Sequence, residues 1–147
     1  MTREEKQKAV DLLYHSFDEV KMLQLRQIEP RLSEYICGLI NKPDDHNAYE
    51  ILGAVKFLRL LRTYETDIET FRDVVFKYEG VWKCDNGVWR HVDGGLKHPG
   101  TTGPMHYRLQ PFQVFVLASM FLLKVWINTE AEAGSRELLP TEKIVEA

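Results

Sequence analysis

Cysteine is scarce in this chain: Cys37 and Cys84 are the only two among 147 residues. The opening stretch MTREEKQKAV carries charges of both signs, whereas a secretory signal needs an apolar core there. Two reduced thiols in a cytoplasmic setting are therefore expected, not a disulfide. Long hydrophobic runs are missing too. The longest, Val114 to Ile127, is broken by Ser119 and Lys124. It falls short of the roughly 18 residues that mark a spanning helix, so no membrane partner is expected. Nor is there a basic excess. The net charge is −3, and a free-standing nucleic-acid binder usually carries surplus Lys and Arg.

The familiar chemical signatures are also absent. His15, His46, His91, His98 and His106 never form H-x₃-H or pair with carboxylates at metal-ligand spacing. Cys84 and His91 flank one turn, but zinc needs four ligands, or three plus water. There is no G-x-S-x-G nucleophile motif, and Cys37 lies in an apolar run that reads as inert burial. The glycine-rich stretch 94–103 lacks the lysine and hydroxyl of a P-loop and reads as a connector. No catalytic residue, metal or cofactor is expected in this chain.

What remains is a helical pattern. Thr2 and Glu5 form a capping-box signature. Val10, Leu13, Phe17 and Val20 recur at helical spacing, widened by Leu12 and Leu23. Pro30 stops this first helix. Leu32 to Ile40 reads as a second, ended by Asn41-Lys42-Pro43. Asp44 or Asp45 can cap a third, with Ala48, Ile51, Leu52, Val55 and Leu58 on one face and Phe57, Leu60 and Leu61 on a second, apolar around much of its circumference as a central helix is. Its Lys56, Arg59 and Arg62 recur at intervals of three on the polar side. Thr66 or Asp67 starts a fourth helix with Ile68, Phe71, Val74 and Val75 inward, ending before Gly80.

The pattern changes at Val81. VWKCDNGVWRHV, residues 81–92, reads as a β-hairpin because Asn86-Gly87 suits a turn with positive φ at both positions. Trp82 and Trp89 are placed to pair across it. Asp93 to Pro104 reads as a loop. Tyr107 to Ile127 is the most apolar helix candidate, with Pro111 in its first turn. The fold class predicted is mainly α: a helical bundle of about five helices with one small hairpin at residues 81–92. Three segments are expected: a helical region 1–79; the hairpin, loop and apolar helix 80–127; and an acidic tail 128–147 with Leu138 and Leu139 as an apolar anchor. Residues 80–127 hold five Lys/Arg against two Asp/Glu, making them the basic region.

In Tyr107-Arg108-Leu109-Gln110-Pro111-Phe112-Gln113 a proline opens an apolar helix, and an aromatic and a glutamine follow it. Here the chain resembles the large terminase subunit of tailed bacteriophages, the motor-nuclease that packages DNA. Many members carry F-x-L-x-P-W-Q before an apolar helix. Tyr107, Leu109, Pro111, Phe112 and Gln113 match that order, with Phe in place of Trp. ILGAVKFLRLLRTYETDI looks like the family's upstream helix with its spaced basic residues. The resemblance spans roughly residues 45–127 and is specific over 107–126.

The resemblance implies that Gln113 contacts adenine, with Pro111 and Phe112 supporting the base. A glutamine amide has the donor and acceptor that pair with adenine N7 and N6. The plain alternative makes Gln113 a solvent-facing first-turn residue and Phe112 a core ring. The family's ATPase and nuclease need a Walker A lysine and a carboxylate cluster. Neither is recognisable in these 147 residues. The chain is thus expected to be an N-terminal fragment, inert alone, of a cytoplasmic phage or prophage ATPase and endonuclease that uses ATP and Mg²⁺. Its implied partners are the rest of the large subunit, the small subunit or portal, and double-stranded DNA. Two other readings stand beside it. One is an autonomous protein-interaction module using the apolar 112–126 helix. The other is a DNA-binding module using Lys56, Arg59 and Arg62 with the basic hairpin. Because helix 112–126 is apolar on nearly every side, the chain is expected to expose a contiguous apolar patch on it, or to hide that patch by self-association or by folding Leu138 and Leu139 back over it.

Overall fold

A computed structural model describes residues 2–124. Over these the fold is mainly α with a small hairpin. Helix α1 (Arg3–Ser16) is capped by Thr2, whose hydroxyl accepts from Glu5 N at 3.1 Å. The first helix does not continue to Pro30 as the periodicity predicts. It breaks at Phe17-Asp18 and restarts as α2 (Glu19–Ile28). Asp18 causes the break: its carboxylate accepts from Val20 N at 2.9 Å and Lys21 N at 3.3 Å, competing with helix continuation. The carbonyl of Ser16, freed there, accepts from the Arg62 guanidinium at 3.0 Å. The predicted inward stripe is split accordingly. Leu13 is buried, whereas Leu12, Val20 and Leu23 are exposed.

Pro30 both ends α2 and opens α3 (Pro30–Asn41), with Glu29 as the shared cap. Helix α4 (Ala48–Thr63) is capped by Asn47, not by Asp44 or Asp45. Those aspartates follow Pro43 in a single 3-10 turn. Helix α5 (Ile68–Glu79) is capped by Asp67, whose carboxylate accepts from the Thr70 hydroxyl at 2.7 Å. That bond, with one from the Thr70 amide, holds the Asp67 carboxyl below the usual carboxylate range. The helix ends at Gly80, where φ is +69°.

Strands β1 (Val81–Asp85) and β2 (Val88–Asp93) form the hairpin, with φ of +51° at Asn86 and +80° at Gly87. These signs suit the turn read from Asn-Gly. Trp82 lies opposite His91 and Trp89 opposite Cys84, so the two tryptophans are not a direct cross-strand pair. The stretch read as loop contains a two-residue ladder, β3 (Lys97–His98) with β4 (Met105–His106). Helix α6 (Pro111–Phe121) follows and is shorter than the predicted 112–126 helix. Leu123 instead bridges antiparallel to Thr66. Val125 and Trp126, and the tail with Leu138 and Leu139, lie outside the described residues.

The described residues therefore contain six α-helices, one more than predicted, because the first is split. Helix α4 is central, burying Ile51, Ala54, Val55, Phe57, Leu58 and Leu61. Helix α1 packs on α4, α2 on α3, and α6 against both α3 and α5. Leu13, Leu32, Ile36, Phe71, Val114 and Leu122 complete one apolar core. Among the described residues, no helix is long and apolar enough to cross a membrane.

Candidate functional site

The Tyr107–Gln113 segment is held from two sides. On the helical side stands Glu79, the last residue of α5 and only 3% exposed. Its carboxylate accepts from Leu109 N at 2.8 Å and from Arg31 Nη1 and Nη2 at 3.0 and 2.5 Å. Arg31 also donates to Leu109 O at 2.9 Å and to Glu29 at 2.7 Å. One ion cluster thus satisfies both backbone groups of Leu109. Burial pulls the Arg31 guanidinium down, but its hydrogen bonds to Glu79 and Glu29 outweigh this and raise it.

On the other side stands the hairpin. Trp82 Nε1–H donates to the carbonyls of Glu79 and Tyr107, at 2.8 and 3.0 Å. The Arg108 guanidinium lies 4.0 Å from the Trp89 ring centre and 6.0 Å from that of Trp82. Both tryptophans therefore meet through Arg108 and not across the strands. Burial and the neighbouring Arg31 charge lower the pKa of Arg108. Between these two sides lies a cleft of about 810 Å³, lined among others by Glu34, Phe76, Trp89, Arg108, Gln110 and Pro111.

The first turn of α6 leaves this clamp with a fixed direction. Gln113 is exposed, and its Oε1 accepts from Gln110 N at 2.8 Å. Phe112 is 56% exposed. That corrects the reading of it as a core ring: Val114 and Phe115 face the core in its place. Phe112 rests near Tyr35, with ring centres 6.4 Å apart, and Tyr35 packs on Phe115 at 4.9 Å. The Tyr35 hydroxyl donates to Glu50, which also contacts His46 Nδ1 at 2.8 Å. Burial and the Glu50 carboxylate push Tyr35 up to about 12.

No known family, curated protein or solved structure matches the chain.

Pro111 therefore lines the cleft, while Phe112 and Gln113 sit exposed on the same turn. The cations on α4 are not equivalent. Lys56 is half-buried and Arg59 exposed, whereas Arg62 is engaged with the Ser16 carbonyl. On the hairpin, Lys83 pairs across from Arg90, and Arg90 is 3.3 Å from Asp85. Among the described residues, no three His, Cys, Asp or Glu side chains form a group suited to a metal ion.

Sequence reasoning missed Arg31, Glu79 and Arg108. A signal for the first two was present. Arg31 stands in the first turn of α3 and Glu79 in the last turn of α5. Each charge opposes its own helix dipole. Two such misplaced opposite charges are explained by each other.

Proposed function

We propose that this chain is the N-terminal accessory region of a DNA-packaging ATPase of the terminase large-subunit type. In this reading Gln113 contacts the adenine edge and Phe112 and Pro111 support the base. The chain alone hydrolyses no ATP and cuts no DNA. The observation that carries the reading is the outward-facing Phe112-Gln113 pair, set on the first turn of a helix whose next residues are buried. The bond from Gln110 N orients the amide, and Oε1 keeps a second lone pair for an adenine N6–H while Nε2 remains free to donate to N7. The clamp on Leu109 fixes the start of that helix.

The test is Gln113→Ala in the full-length protein, with ATP and GTP compared. Loss of a bidentate base contact removes about 1–3 kcal/mol of discrimination, roughly a 5- to 150-fold change in relative kcat/KM. Equal ATP and GTP kinetics in wild type and variant would refute the adenine role. A Gly-Lys-Ser/Thr loop followed by an acidic strand downstream in the gene is expected on the same reading.

A second reading has its own observation. Phe112, Val116 and Met120 are 56%, 41% and 60% exposed, and their spacing of four places them in one row on α6. Such a row suits a protein-interaction module. Light scattering across a concentration series addresses it: a monomer at every concentration counts against self-association through this row.

A further inference from the structure

The His91 and His106 rings lie face to face, with centres 3.5 Å apart and planes within 7°. They join β2 to β4, two segments that no ladder pairs. Trp82 meets the His91 ring edge-on at 5.4 Å. His91 Nε2 lies 2.7 Å from the Gly94 carbonyl, so that nitrogen carries the proton. His106 Nδ1 is buried and has no hydrogen-bond partner. An imidazolium at His106 would bury an N–H donor with no acceptor, which costs more than an idle lone pair.

We propose that the His91–His106 stack is a proton-operated latch, closed while His106 is neutral and released in mild acid when it takes a proton, that holds the hairpin against the strand leading into Tyr107–Gln113. The proposal is independent of any nucleotide role for Gln113. The charged surroundings favour it. Lys97 stands across the ladder from His106, and His98 follows Lys97 in β3 with its ring against Tyr107. Arg108 lies against Trp82 and Trp89 on the hairpin's aromatic face. Asp93 ends β2 on the far side of the bulge, and Glu79 is engaged by Arg31. Among the described residues, the ion pairs with carboxylates involve Arg31, His46, Arg90 and Arg108, and neither ring of the stack. Burial lowers the pKa of His106, and His91 and Lys97 add to this. A histidine lowered in the folded state contributes its full stability above the ordinary value of 6.5. That contribution falls as pH drops below 6.5 and through the folded value.

NMR of the intact chain from pH 8 to pH 5 tests the latch, following the histidine ring signals and the Trp82 indole N–H. The expected result is that His106 titrates below 6.5. The Trp82 signal, bonded in the closed state to Glu79 and Tyr107, should shift in the same pH window while far-UV helicity holds. In His106→Phe, which keeps a flat ring but cannot take a proton, that Trp82 transition should disappear. Titration of His106 at or above 6.5 overturns the proposal. So does an unmoved Trp82 signal, or the same Trp82 transition persisting in His106→Phe. If the variant fails to fold, the wild-type titration alone decides.

Discussion

The helical part and the stretch from Gly80 to Gln110 are stabilised in different ways. The helices share a core in which Leu13, Leu25, Ile36, Ile51, Phe71 and Val114 are almost fully buried. Between Gly80 and Gln110 only Leu109 is buried. That stretch is held by a few specific links: the Arg31–Glu79 cluster, the Arg108–Trp89 stack, the Trp82 indole bonds and the His91–His106 stack. Apolar burial is non-directional and spread over many contacts. The polar half depends on few contacts with fixed geometry, so single substitutions there should act locally and sharply.

The largest expected effect is at the junction of the two. Glu79→Ala leaves Arg31 with only Glu29 and a carbonyl, and leaves the Leu109 amide without its acceptor. Removing one partner of a buried ion pair costs about 3–5 kcal/mol. The lower end applies because Glu29 stays. Urea denaturation measures it. The double variant Arg31→Met, Glu79→Leu should regain only the part that comes from the unpaired charge, because both backbone groups of the buried Leu109 then lack their partners. A single-variant loss below about 1 kcal/mol would place the junction among ordinary surface pairs.

Much of the helical part was legible in the sequence because its boundary residues act locally. Pro30, Asp67, Gly80, Asn86-Gly87 and Pro111 each mark a helix end or turn in the structure. The break at Phe17-Asp18 was not legible, because apolar spacing continues through it while the Asp18 side chain acts on the next two amides. Asn47 was passed over because two aspartates stand before it, and Pro43 draws both into the 3-10 turn. The clamp was hidden for a different reason. Arg31 meets Glu79 across 48 positions and Leu109 across 78; each charge is visibly misplaced on its own helix, but the distance in sequence hides the Leu109 backbone groups that the pair serves. Pro111 made the exposed first turn of α6 readable, whereas the expectation that Gln113 contacts adenine rests on the resemblance of residues 107–113 to a terminase segment and not on local physics.

Arg108→Ala should have a middling effect confined to the polar half. The guanidinium stacks 4.0 Å from the Trp89 ring centre, a contact worth about 0.5–2 kcal/mol. Its bonds to Glu79 are long, at 3.4 and 3.5 Å, and add little. Near-UV circular dichroism should lose tryptophan signal while far-UV helicity holds. Arg108→Lys should not restore the signal, because an ammonium lacks the flat face that stacks on indole. Full restoration by lysine would mean that charge, not stacking, holds the hairpin.

The smallest effect is expected at Phe112. A fully buried phenylalanine contributes about 1.5–3 kcal/mol by burial, and truncating one in a core costs about 3–5 kcal/mol. At 56% exposure less than half of that burial is realised. Its neighbour Tyr35 keeps its own packing on Phe115 without it. Phe112→Ala should therefore change stability by about 1 kcal/mol or less, measured by the urea midpoint at low protein concentration. Val116→Ala and Met120→Ala belong to the same row and should behave alike. A loss near 3 kcal/mol at Phe112 would mean that the row is covered in solution, erasing the distinction between this face of α6 and the core. Concentration dependence then separates the two ways of covering it. A loss that grows with protein concentration points to a second copy, and a constant loss points to cover from within the same chain.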